Sequence, residues 1–80
     1  MGDQNKPDKQ LDCVGLFCPE PVFRTRKEID QLAVGEVLEL IADDPAAEED
    51  IPRLVKNLGL ELLKMFKEDD EIHFLIKKTK

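Results

Sequence analysis

The run Val37-Leu38-Glu39-Leu40-Ile41-Ala42 is nearly continuous in apolar character, and stretches of helical period stand on both sides of it. A six-residue run of this kind is a central strand covered on at least one face, not a helix of its own. The preceding helical stretch has Val22, Thr25, Ile29 and Leu32 on one side and the charged Arg24, Arg26, Lys27 and Glu28 mostly on the other, ending at Gly35. The following one repeats the pattern with Ile51, Leu54, Val55 and Leu58, and Gly59 stands where a left-handed C-terminal cap belongs.

Before the first helix, Leu11-Asp12-Cys13-Val14 alternates as a short strand with Leu11 and Cys13 on one face. After the second, Leu60 to Phe66 and Ile72 to Lys77 read as two strands. The acidic turn Glu68-Asp69-Asp70-Glu71 joins them, with Ile72, Phe74 and Ile76 pointing inward. Asp43-Asp44-Pro45 closes the central strand and opens the second helix. Pro52 disturbs that helix, which either restarts at Asp50 as a fresh cap or kinks there.

The element order is thus β-α-β-α-β-β, and two crossover helices are long enough to connect parallel strands in the right-handed sense. The expectation is an α/β (α+β) two-layer sandwich, a four-stranded mixed sheet with two helices packed on one face. Residues 1–10 are expected to be a flexible polar leader and residues 11–80 a single domain, since no repeat or Pro- or Gly/Ser-rich linker divides the chain. With the first two strands parallel, the loop after Val14 and the loop holding Asp43 and Asp44 leave the sheet at the same carboxyl edge.

Eighty residues, 41% of them hydrophobic, make a core that buries roughly 60% of the unfolded chain's surface, so chemistry belongs near the outside. Charged residues are 38% of the chain and the net charge is -6, which disfavours attraction to nucleic-acid phosphates and favours a partner with a basic dock. No stretch approaches the roughly 20 apolar residues of a membrane span, and the polar start is no signal peptide. A cytoplasmic location is expected. Two cysteines and the single His73 fall short of a structural zinc's four ligands, so neither metal nor cofactor is expected.

The chemistry concentrates at Cys18, within Gly15-Leu16-Phe17-Cys18-Pro19-Glu20-Pro21-Val22. Pro19 suits a first helical position and pushes Cys18 into an extended, N-capping geometry. There the helix dipole and unpaired amides favour a thiolate, the form that does sulfur chemistry. Pro19, Glu20 and Pro21 shape this mount. Cys13 reads as a small core hydrophobe, and a Cys13–Cys18 disulfide is disfavoured by spacing and by a reducing compartment. His73 alternates with Ile72 and Phe74, facing solvent or the open side of the sheet, and is assigned no chemistry. Arg24, Arg26 and Lys27 form either a basic patch beside the thiol or a solvated helix face. Asp43 and Asp44 read as an acid/base pair or, for Asp44 before Pro45, as the cap of the second helix. Phe17 and Phe23 flank Cys18 as aromatic anchors for a partner, one of them being an alternative core residue.

Leu11-Asp12, Gly15-Leu16, Cys18-Pro19-Glu20-Pro21-Val22, Thr25-Arg26 and Gly35-Glu36 resemble the TusA/SirA sulfur-carrier family, and Asp43-Asp44-Pro45-Ala46 and Asp50-Ile51-Pro52 extend the match. The resemblance implies that Cys18 carries sulfur as a persulfide. It would receive that sulfur from a cysteine desulfurase and hand it to a downstream sulfur-relay protein or sulfurtransferase. Glu20 within C-P-E-P resembles members that feed transfer-RNA thiolation; others supply molybdenum cofactor synthesis or sulfur oxidation. The chain departs from many members in having Leu60 where they carry histidine in a Gly-His-Glu run. The competing readings are a regulatory or nucleic-acid-binding module, disfavoured by the acidic charge, and a redox protein cycling a Cys13–Cys18 disulfide.

Overall fold

The structure, a computed structural model, describes residues 7–17 and 20–80. Its elements are β1 (Lys9–Cys13), α1 (Glu20–Gln31), β2 (Val37–Ala42), α2 (Ala47–Asn57), β3 (Glu61–Glu68) and β4 (Glu71–Lys77). The sheet order is β1-β2-β4-β3, with β1 parallel to β2 and the β2–β4 and β4–β3 pairs antiparallel. This is the expected mixed sheet, and both helices lie on one face of it.

The core forms between that face and the helices. Leu38, Leu40 and Ala42 of β2 and Ile72, Phe74 and Ile76 of β4 meet Ile29 of α1 and Ile51 and Val55 of α2. Thr25 and Leu32 of the predicted stripe are buried, while Val22 packs half-buried against the cluster. Cys13 is 0% exposed and Leu11 packs on the same core, as the alternation requires.

Strand β1 begins at Lys9, two residues ahead of the alternating segment. It is anchored further out still, because the Asp8 amide donates to the Val37 carbonyl (2.8 Å) and the Val37 amide donates to Asp8 Oδ2 (2.8 Å). Residues 8–10 therefore belong to the sheet rather than to a leader, since backbone pairing needs no apolar side chain; residues 1–6 lie outside the described residues.

Helix α2 runs unbroken through Pro52. The restart at Asp50 is not present. The end of α2 is as expected: Gly59 takes φ +76°, its amide donates to Lys56 O (3.0 Å), and the Leu60 amide donates to Val55 O (3.0 Å), a Schellman cap. Leu60 thereby serves the cap and packs on the core.

The hairpin is tighter than the sequence suggests. Strands β3 and β4 extend to Glu68 and Glu71, leaving Asp69-Asp70 as the turn, with Asp69 at φ +56°, which aspartate tolerates better than most residues. Helix α1 has no basic residue in its last turn. Lys78, just beyond β4, supplies one: its Nζ donates to the carbonyls of Ile29 (2.9 Å) and Leu32 (3.0 Å), tying the helix's negative end to the sheet.

Candidate functional site

The β1–α1 connection is built from a glycine turn. Gly15 takes φ +87°, a backbone that side chains disfavour, and the Leu16 amide donates to the Cys13 carbonyl (3.1 Å). The Val14 amide donates to Asp12 Oδ1 (2.9 Å) and the Gly15 amide to Asp43 Oδ1 (2.9 Å). Asp43 thus reaches from the loop after β2 to the loop after β1, the juxtaposition that two parallel strands ending at one edge predict. At the far end, the Glu20 amide donates to the Phe17 carbonyl (2.8 Å). Cys18 and Pro19, between those two residues, lie outside the described residues, as does the N-capping geometry expected of Cys18.

Around this connection the surface is unusually apolar for so charged a chain. Phe17 is 74% exposed, Phe23 is 62% exposed, and Val14 is exposed as well. Neither phenylalanine is a core residue, so the alternative of one being buried is set aside. Solvating such large apolar side chains is unfavourable.

Pro21 is buried and Glu20 exposed at the start of α1. Arg24 pairs with Glu20 one turn earlier (3.4 Å), both side chains being more than half exposed, so the pair contributes little to stability. Arg26 and Lys27 are exposed on the same helix. The cations form a solvated face that is available to a partner.

Asp44 acts as a cap, with a shift in position. Its Oδ1 accepts the Ala46 amide (3.1 Å) and its carbonyl accepts the Ala47 amide (2.9 Å), while the residue flanking the helix proper is Ala46, which has no side-chain cap. Pro45 and Ala46 already coil, so Asp44 caps the turn that feeds α2 rather than the helix itself. The acidic Glu48, Glu49 and Asp50 then occupy the positive first turn. Between this entry and the hairpin turn lies an open groove of about 330 Å³, lined mostly by carboxylates, with Lys67 bridging to Glu48 (2.8 Å). Among the described residues no group of His, Cys, Asp and Glu is arranged to hold a metal ion.

Cys13 is a thiol of the opposite kind from a reactive one. Burial, the largest influence, pushes its pKa above the ordinary 9.0; the Arg24 charge pulls it down, and Asp12 and Glu20 push it up. Because the unfolded chain would ionise this thiol first, it binds fewer protons than the folded chain once pH climbs past 9.0, and stability must fall there. Urea titrations of the protein are expected to show a midpoint that declines above that pH, and Cys13→Ala is expected to flatten the decline. An unchanged slope in the variant would contradict it.

His73 is on the open side of the sheet, one of the two placements the sequence allows, but it is covered there. It lies on the face away from the helices, as alternation places it, yet it is only 8% exposed. Its Nδ1 donates to Glu39 Oε2 (3.0 Å), Gln10 Nε2 donates to Glu39 Oε1 (2.9 Å), and the Phe66 ring stacks on the imidazole at 4.7 Å between centroids and 5° between planes. This network stitches β1, β2, β4 and β3 together across the open face. A signal for it was present: Glu39 is the one charge within the apolar β2 run, and a half-buried carboxylate needs partners.

The described fold and site define a small α/β sandwich whose first strand-to-helix connection exposes Val14 and Phe17. The family model described as Sulfurtransferase TusA matches residues 9–78, and the chain belongs to that family. A relative in Archaeoglobus fulgidus, provisionally named a sulfur carrier protein, is 58% identical over 73 residues, covering 90% of this chain and 95% of its own. The sulfur carrier protein TusA of Allochromatium vinosum is 40% identical over 72 residues, with coverage of 90% and 95%. Among solved structures, a SirA-like protein from Desulfitobacterium hafniense shares the fold at a TM-score of 0.79 and 22% identity, over 90% of this chain and 99% of that one. No helix among the described residues is long and apolar enough to cross a membrane.

Proposed function

We propose that this chain is a sulfur carrier that holds sulfur as a persulfide on Cys18 and works only with partner proteins. The observation that carries this reading is the burial of the chain's other thiol. Cys13 is 0% exposed, with its ionisation disfavoured by burial, so a partner's sulfur cannot reach a reactive thiolate there. Cys18 remains, between two exposed phenylalanines in the C-P-E-P sequence of a TusA family member.

In the transfer step, the Cys18 thiolate attacks the terminal sulfur of a cysteine desulfurase persulfide. A new sulfur–sulfur bond forms on Cys18, the donor's own sulfur–sulfur bond breaks, and the donor cysteine leaves as a thiolate. The reverse exchange toward an acceptor empties Cys18, so a mildly activated thiol serves better than a strongly acidified one. Phe17, Phe23, Arg24, Arg26, Asp43 and Asp44 are proposed to meet partners around it, while Pro19, Glu20 and Pro21 shape its mount. A reducing cytoplasm would keep the carrier free of disulfide. The sulfur is proposed to feed transfer-RNA thiolation, with molybdenum cofactor synthesis and sulfur oxidation as other outlets.

Incubation with a cysteine desulfurase and free cysteine, followed by intact mass measurement, tests the reading. One dithiothreitol-sensitive sulfur per chain is expected; no gain in mass overturns it.

A further inference from the structure

We propose that the β3 edge of the sheet is a self-association surface, on which a second copy of this chain pairs antiparallel about a two-fold axis through Phe66. Among the described residues β3 ends the sheet with β4 as its neighbour, and its eight residues make it longer than β1, the other edge, which has five. Its far side carries backbone groups that no strand of the sheet uses. In a ladder closed by the two-residue turn Asp69-Asp70, alternate residues direct their amides toward the neighbouring strand. Counting back from Glu68, which faces Glu71, Met65 and Lys67 have theirs turned off the edge.

The choice of occupant rests on charge complementarity. A register shift between Leu62 and Lys64 confines the regular part of the edge to Lys64–Glu68. Lys64, Phe66 and Glu68 lie on the open face, where Lys64 Nζ stands 5.3 Å from the centre of the Phe66 ring, Phe66 stacks on His73, and Glu68 Oε1 is 3.8 Å from His73 Nε2. Met65, opposite Phe74, and Lys67, bridged to Glu48, lie on the helix side. Side chains that oppose each other across a ladder share a face, so the two-fold axis passes through a residue and not between two. An axis at Lys64 or at Lys67 sets that lysine against itself, and one at Met65 sets Lys64 against Phe66. Only an axis at Phe66 sets Lys64 against Glu68 of the second copy and, by symmetry, Glu68 against its Lys64, with the two Phe66 rings side by side between them. Met65, 44% exposed, then meets the aliphatic stem of Lys67 from the second copy. Lysine on an edge ordinarily repels a second strand, and this register answers Lys64 with a carboxylate. The loop after β1 stays free, because β1 is at the opposite edge. A pairing of five residues a side is smaller than a standard interface, so the association is weak and reversible.

Sedimentation equilibrium of the full chain, from micromolar to millimolar concentration, tests the pairing. A monomer–dimer equilibrium is expected. Lys64→Glu sets carboxylate against carboxylate twice, and Glu68→Lys sets ammonium against ammonium twice, so each is expected to raise the dissociation constant at least about tenfold. The double variant exchanges the two charges and is expected to return to within about threefold of wild type. Both side chains are exposed, and thermal melts establish that each variant is folded; should one single variant unfold, the other and the double variant decide. A chain that stays monomeric throughout would leave the edge to a strand of another protein, or to none, and overturn the proposal. Single variants that associate like wild type, a double variant no tighter than the singles, or growth beyond the dimer would overturn it as well.

Discussion

Cys18→Ser is expected to take up no sulfur from a cysteine desulfurase, while Cys13→Ala is expected to load as wild type does. A hydroxyl cannot form a stable sulfur–sulfur linkage, so the loss is complete rather than partial. The contrast matters because the chain has two cysteines, and simple removal of a thiol does not by itself locate the chemistry. Cys13 is fully enclosed by the core and contributes packing, so its replacement by alanine costs about 1 kcal/mol of stability from one lost group. Intact mass and a urea titration on the same samples separate the two effects. Sulfur retained by folded Cys18→Ser would contradict the assignment.

Phe74→Ala has the largest expected effect on the fold. Phe74 is 0% exposed on β4, paired with Leu40 of β2 on one side and Met65 of β3 on the other. Removing a buried phenylalanine costs about 3–5 kcal/mol through lost transfer energy and the cavity left behind. Domains of this size hold only about 5–15 kcal/mol in total, and a short chain buries a modest share of its surface. The variant is expected to unfold at markedly lower urea and to be partly unfolded at 37 °C. Phe74→Leu refills most of the volume and should lose under about 1.5 kcal/mol. A loss for Phe74→Ala no larger than that of the leucine variant would contradict the placement of the core.

Much of this architecture was readable because each element carries its own period. The apolar β2 run, the stripes at Val22 to Leu32 and Ile51 to Leu58, and the glycine at Gly59 each state their local structure, and topology follows from the order. Boundaries were harder. Lys9 and Gln10 join β1 through backbone pairing that no side-chain pattern announces. Pro52 left a restart or a kink open, and the restart is excluded: α2 is held in place by Ile51 and Val55 in the core and tolerates one missing hydrogen bond.

The site divides in the same way. That Asp43 stands near the cysteine loop followed from two parallel strands ending at one edge, but its bond to Gly15 depends on side-chain geometry that no spacing encodes. His73 was assigned no part because alternation gives the face and not the cover; Phe66 and Glu39 bury it from neighbouring strands. Phe17 and Phe23 were singled out as anchors or, for one of them, as core, and the structure excludes the core alternative.

The central claim is that sulfur rides on one thiol and never on the other. Loading the wild-type chain with a cysteine desulfurase, trapping it with an alkylating reagent, and mapping the peptides by mass tests that claim directly. The account predicts the added sulfur wholly on the peptide bearing Cys18. Sulfur found on the peptide bearing Cys13, or a disulfide joining the two, would contradict it.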